Sequence, residues 1–169
     1  LGSLRDRRFA SLCFGGKVKD KDWGDENWMA LLDVLAARHP ELALEIIDSM
    51  CEQGFDVAHS KYYREGQSIA HAIHFVHARI MRKMVPVVCI PQNTYFPPNQ
   101  PTPARCYRLG QAISQAVQAW DSTLRVGIIA SGGLSHFTVD PDLDGRVINA
   151  LKARDAKALM NLPREQLNS

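Results

Sequence analysis

The sequence predicts a single α/β domain, built as a mainly parallel sheet flanked by helices. Two observations lead there. Apolar stripes at helical spacing alternate along the chain with short apolar runs, and two of those runs, residues 85–90 and 124–130, are rich in β-branched residues and end in turn residues. A third supports one domain: no internal repeat, low-complexity segment or linker divides the 169 residues.

Residues 1–38 form an unassigned N-terminal segment carrying one helix. Phe14-Gly15-Gly16 and the mostly charged stretch 17–22 read as a loop or an exposed arm. From Asp25 onward Trp28, Leu31, Leu32 and Leu35 repeat at three and four residues, which predicts a helix. His39-Pro40 ends it, because a residue before proline avoids the α region. Pro40 in turn suits the first turn of a second helix, which carries Leu42, Ile46, Ile47 and Met50 and stops at Gly54. Phe55-Asp56-Val57-Ala58 reads as a short strand, residues 60–68 as a polar loop, and 69–82 as a helix. Val85-Pro86-Val87-Val88-Cys89-Ile90 reads as a strand buried on both faces, with Pro86 near its start, where a missing amide is tolerated.

Residues 91–103 hold five prolines and no periodicity, so they form an extended, stiff loop. Long ordered loops are usually functional. An amphipathic helix follows over 104–120, through Leu109, Ile113, Val117 and Trp120. Residues 124–130 are the second strong strand, terminated by Ser131-Gly132-Gly133, and 143–162 read as helix, divisible around Arg154-Asp155.

Composition removes several classes. Lys and Arg exceed Asp and Glu by only 20 to 18, with no basic cluster to mark nucleic-acid binding. No apolar run approaches the roughly 20 residues of a membrane span, and the basic start leads into no apolar signal region. The four cysteines, Cys13, Cys51, Cys89 and Cys106, make no Cys-x-x-Cys pair, which favours a reducing cytoplasm.

Ligands of open α/β sheets bind beyond the carboxyl ends of the strands. Two segments meet that condition: the proline loop, with Asn93, Thr94 and Tyr95 near its start, and Ser131-Gly132-Gly133-Leu134-Ser135-His136. In the second, paired glycines allow a sharp turn and close backbone approach, which carries His136 to the sheet edge. The plainer alternative is a turn followed by a surface or capping histidine. Neither a nucleophile elbow nor a phosphate loop fits, for Ser131 and Ser135 lack the Gly-x-Ser-x-Gly frame and no Lys-Ser/Thr follows the glycines. His71, His74 and His77 share one predicted helix over an arc of about 120°. They lack the i, i+4 pairing and glutamate of a zinc-protease helix, which argues against a metal hydrolase. His59 is a weaker candidate, and His39, before a proline at a helix start, reads as structural. Asp140, Asp142 and Asp144 read as caps of the last helix. No metal site assembles from spacing. From the residues alone, the reading ends at an α/β domain with a histidine-bearing cleft.

Three stretches resemble the class III extradiol ring-cleavage dioxygenases, the LigB-like superfamily of the protocatechuate 4,5-dioxygenase beta subunit, and within it the gallate and methylgallate branch. They are Phe55-Asp56-Val57-Ala58 with Ile69-Ala70-His71-Ala72-Ile73-His74-Phe75-Val76; Asn93-Thr94-Tyr95-Phe96-Pro97-Pro98-Asn99-Gln100-Pro101 with Ala104-Arg105-Cys106-Tyr107-Arg108-Leu109-Gly110; and Ile129-Ala130-Ser131-Gly132-Gly133-Leu134-Ser135-His136-Phe137. The likeness covers roughly residues 40–169, so 39–169 are expected to be a partial catalytic domain. It implies an oxidoreductase of aromatic catabolism that opens a gallate-, methylgallate- or protocatechuate-type ring with O2. Its cofactor would be a non-haem Fe(II) held by two histidines and one glutamate, open to a catecholic diol and O2. By motif match His136 is the acid/base facing the substrate hydroxyl, and His71 is a second histidine that hydrogen-bonds bound dioxygen. A homodimer, and a small helical subunit or fused domain, are further family expectations.

The three iron ligands of the family have no matching position here. The resemblance places both histidine ligands upstream of the matched part and the glutamate shortly after it, so the chain reads as a fragment of a longer enzyme. The 169 residues by themselves are then expected to bind iron poorly. The alternative is an iron-free relative serving as a non-catalytic protein-binding scaffold, against which the presence of both His71 and His136 weighs.

Overall fold

A computed structural model of the chain describes residues 9–14, 39–59, 76–80, 85–93, 97, 98, 100–135 and 138–167, with only the backbone of 9–14, 77 and 78 described. It is a small mixed domain of helices with a few strands. Strand β1 spans Phe9–Phe14, β2 Val87–Cys89 and β3 Arg125–Ala130. They pair in the order β2-β1-β3, and β1 runs parallel to both neighbours. The register sets Cys13 level with Cys89 on one side and Ile129 on the other.

Helix α1, Pro40–Glu52, begins where the proline predicts, and His39 caps it by accepting the Leu42 amide at Nδ1 (3.4 Å). The same nitrogen lies 3.1 Å from Glu41 Oε2. The His39 ring stands edge to face with Trp120, with centroids 4.9 Å apart. At the other end Gly54 takes a left-handed φ of +76°. The Gly54 amide then donates to the Cys51 carbonyl and the Phe55 amide to the Met50 carbonyl, which closes the helix in a Schellman motif.

That closure corrects the strand expected at residues 55–58. The Phe55 amide is already committed to α1, the Gly54 carbonyl accepts from the Arg105 guanidinium (3.1 Å), and that guanidinium lies 3.9 Å over the Phe55 ring. The segment therefore ends a helix and packs on the next one, with no ladder.

Helix α2, Pro103–Ala119, has proline in its first turn, and Thr102 Oγ1 caps it by accepting the Arg105 amide at 3.2 Å. Leu42, Ile46 and Met50 of α1 meet Leu109, Ala112, Ile113 and Ala116 of α2, and Val88 of β2 joins them. Spacings of three and four put each set on one helical face, and alanines at 112 and 116 let the helices approach closely. Phe55, Val57, Ile90, Val117, Trp120 and Val126 pack around this cluster.

Helix α3, Pro141–Ala153, is capped by Asp140, whose Oδ1 accepts the Asp142 and Leu143 amides at 3.1 and 2.9 Å. It ends at Arg154 in the left-handed region (φ 54°). Asp155 then caps a short helix α4, Ala156–Met160, through the Ala158 amide. This is the break expected within 143–162. A 3-10 turn, Arg164–Leu167, follows.

Several expectations change. The run at 85–90 yields a strand of three residues, because Pro86 has no amide to give a ladder. Val87 and Val88 are nonetheless both buried, as a strand covered on two faces requires. β3 is not a buried strand: Ile128 is 52% exposed, and among the described residues β3 pairs with β1 alone. β1, in the middle of the three strands, arises in a segment that shows no strand signal by alternation. Of the helix at 69–82, the described part is one wide π-type turn, Val76–Ile80, with Val76 buried. The helix expected around residues 28–35 lies outside the described residues.

Ile113 is 1% exposed at the centre of the α1–α2 contact. Ile113→Ala should therefore lower unfolding free energy by about 2–5 kcal/mol, read by urea denaturation. A loss below the effect of a surface substitution would contradict this packing.

Candidate functional site

Parallel pairing makes Phe14, Cys89 and Ala130 all leave the sheet at one edge. The chain passes from β1 to β2 on one side and then crosses to β3 on the other. The crevice of such a sheet opens beyond the carboxyl ends of the two strands where this order reverses, here β1 and β3. Ser131-Gly132-Gly133-Leu134-Ser135 leaves β3 at that point. The proline loop leaves β2 on the far side of β1, about 9–10 Å away at two strand spacings. The two segments singled out in the sequence thus share one edge.

The described part of the loop after β2 is tied to its surroundings at several points. Near its start, Gln92 Nε2 donates to the Cys106 sulfur on α2 at 3.3 Å. The Thr102 cap fixes its end. Between them, Arg164 Nη2 donates to the carbonyls of Pro98 (3.4 Å) and Gln100 (3.2 Å). Burial pushes the Cys106 thiol above the usual cysteine range, against the opposing pull of the Gln92 hydrogen bond. Cys106 is therefore a packing thiol, with little thiolate for reaction near neutral pH.

The loop after β3 is held differently. Asp144 Oδ1 accepts the Ser135 amide at 2.8 Å, and its Oδ2 accepts the Ser135 hydroxyl at 2.9 Å. The same hydroxyl accepts the Asp140 amide at 2.8 Å. This revises the capping role expected for the three aspartates. Asp140 caps α3, whereas the Asp144 carboxylate turns to the loop and Asp142 contributes its amide. Gly132 also differs from expectation. It has no left-handed φ, and a Cβ there would meet nothing within 4 Å, so the turn does not require glycine. What the bare backbone leaves is open room at the strand end.

His136 and His71 both lie outside the described residues, as does His74, and the His77 side chain is not described. His59 is exposed and His39 is the helix cap already described. Among the described residues no group of three His, Cys, Asp or Glu side chains could hold a metal ion, so these residues do not fit the iron site that the resemblance implies. No helix among them is long and apolar enough to cross a membrane. The sequence reading named Ser135 and Asp144 but not the bonds between them, and it missed Arg164. Arg164 and Asp144 each act across a tertiary contact that no local spacing signals.

Comparison with known proteins bears on most of the chain. A 36-residue stretch, 21% of this chain and 11% of the relative, is 50% identical to a gallate dioxygenase of Pseudomonas putida. A longer stretch of 103 residues, 61% of this chain and 31% of the relative, is 31% identical to a 2,3-dihydroxyphenylpropionate/2,3-dihydroxicinnamic acid 1,2-dioxygenase of Comamonas testosteroni. The matched parts thus span about a tenth and about a third of these relatives. No solved structure matches the chain. The family described as the catalytic LigB subunit of aromatic ring-opening dioxygenase matches residues 13–169, so it takes in β1's Cys13 as well as the three motif stretches. With that match running from the end of β1 through α4, the chain belongs to the LigB family.

Proposed function

We propose that the protein carrying this chain is an extradiol dioxygenase, which opens the ring of a catecholic acid of the gallate, methylgallate or protocatechuate type with O2. The observation that carries the reading is the family match over residues 13–169, in which the signature stretch around Gly132 and Gly133 falls on the loop leaving β3 at the reversal point of the strand order. The names of the two relatives support a hydroxylated aromatic acid as the substrate class. Both are enzymes by name, which leaves the scaffold alternative without support.

The sheet is proposed to be mainly parallel and flanked by helices, with residues 39–169 and β1 as parts of one catalytic domain. Fe(II) is the proposed cofactor, and its role when bound is to bring diol and O2 together. The described residues offer it no ligand set, so the ligands are assigned elsewhere in the protein. His136 is the proposed acid/base at a substrate hydroxyl, work suited to an imidazole near neutral pH. His71 is proposed as its companion on the O2 side. At Gly132 an added Cβ would meet nothing within 4 Å, which supports a backbone open to a ligand beside the strand end. A homodimer in the cytoplasm, with a small helical subunit or fused domain completing the substrate contacts, completes the proposal.

Oxygen uptake by the full-length, iron-loaded protein is expected with at least one of gallate, methylgallate and protocatechuate, with ring-opened product forming in step. No uptake with any of the three would overturn the reading. In the same protein His136→Gln should lower turnover about 10²–10⁴-fold while iron content stays near that of the wild type. Equal loss of both would show His136 to be a ligand or a structural residue.

A further inference from the structure

We propose that the 3-10 turn Arg164–Leu167 is a strap that joins the proline loop to helix α3, and so holds the two loops at the sheet edge through one connected set of bonds. The proline loop gives the reason for an outside donor. Its five prolines have no amide, whereas every residue in it keeps a carbonyl. Arg164 Nη2 donates to two of these carbonyls, Pro98 at 3.4 Å and Gln100 at 3.2 Å. One nitrogen on carbonyls two residues apart pins that stretch of backbone to a single point. Hydrogen bonds from a guanidinium are charge-assisted and stronger than those from a neutral donor.

The turn that carries Arg164 is attached on either side of it. At its root lies α4, which packs on both α2 and α3. Within the turn the Gln166 amide donates to the Pro163 carbonyl at 3.1 Å, which closes the turn without either side chain. At its far end Gln166 Oε1 accepts from Arg146 Nη2 of α3. Arg146 follows Asp144 by two residues, about 200° round the helix. α3 therefore offers one side to the turn and another to Ser135, which Asp144 holds. The bonds run in sequence from Pro98 and Gln100 through the turn and α3 to Ser135 at the end of the glycine loop. Arg146, Arg164 and Gln166 are all exposed, so water competes for each bond and the strap can release and re-form while the domain stays folded. In the enzyme proposed above, release frees the proline loop to move away from the glycine loop, a consequence that rests on that reading.

The test uses the full-length protein, without iron or substrate, and reads amide exchange by mass spectrometry in peptides covering residues 98–104. Arg164→Met keeps the side-chain stem and removes the donors, so exchange there should rise about 3- to 10-fold. Arg146 makes no hydrogen bond to the described part of the proline loop. Arg146→Met should nonetheless raise exchange in the same peptides, by a smaller factor, because the turn loses its far attachment. Gln118→Ala, which removes an exposed hydrogen bond on α2, is the control and should leave those peptides unchanged. No rise in Arg164→Met would overturn the strap. A rise in Arg164→Met with none in Arg146→Met would overturn its link to α3, and an equal rise in Gln118→Ala would show general loosening in its place. With a catecholic acid that the wild type turns over, Arg164→Met should raise KM severalfold with kcat nearly unchanged. An unchanged KM would overturn the strap's bearing on substrate. If the wild type opens no catecholic ring, the proposed function falls, and the exchange rates alone decide the strap.

Discussion

Parallel pairing of β1 with both β2 and β3 sends three chain segments out of the sheet at the same edge. Had either neighbour run antiparallel, the proline loop and the glycine loop would emerge at opposite ends, too far apart to share a ligand. With β1 between them their starting points stand about two strand spacings apart. That gap suits a ring-sized ligand lying over the end of β1. The geometry of the proposed site therefore depends on backbone pairing first and on side chains second.

The remaining architecture supports the two loops from behind. The α1–α2 cluster around Ile46 and Ile113 reaches β2 through Val88, so the strand that launches the proline loop is fixed to the best-packed part of the domain. Gln92 and Arg164 then hold the loop itself from two directions. On the other side the glycine loop has no comparable apolar seat among the described residues, where β3 is largely exposed. Ser135 at the loop's end is held by hydrogen bonds with Asp140 and Asp144. One loop is stiffened by proline and ties to α2 and the 3-10 turn, the other by a carboxylate on the helix that follows it.

Much of this was legible in the sequence where local chemistry decides it. Pro40 and Pro103 mark helix starts, Gly54 a helix end, and the stripes of Leu42–Ile46–Met50 and Leu109–Ile113 the buried faces. What failed was decided at a distance. Phe9-Ala10-Ser11-Leu12-Cys13-Phe14 has no clear alternation, and only pairing on both edges makes it a strand. Phe55-Asp56-Val57-Ala58 does alternate, yet its first amide belongs to Met50 and its ring to Arg105. Asp144 looked like a cap because its position in α3 is legible and its partner nine residues upstream is not. For the candidate site, the residues alone suggest a histidine-bearing cleft whose His71 and His136 lie outside the described residues, and the motif resemblance supplied the ring-opening chemistry that the family match supports.

The central claim is that the segments after β2 and β3 face one another across a single cleft that takes an aromatic diol. Hydrogen exchange of the full-length protein, with and without gallate under anaerobic conditions, tests it most directly. The account predicts that residues 90–100 and 131–140 gain protection together at one ligand concentration dependence. Protection confined to one of the two segments, or to neither while gallate binds elsewhere, would contradict it.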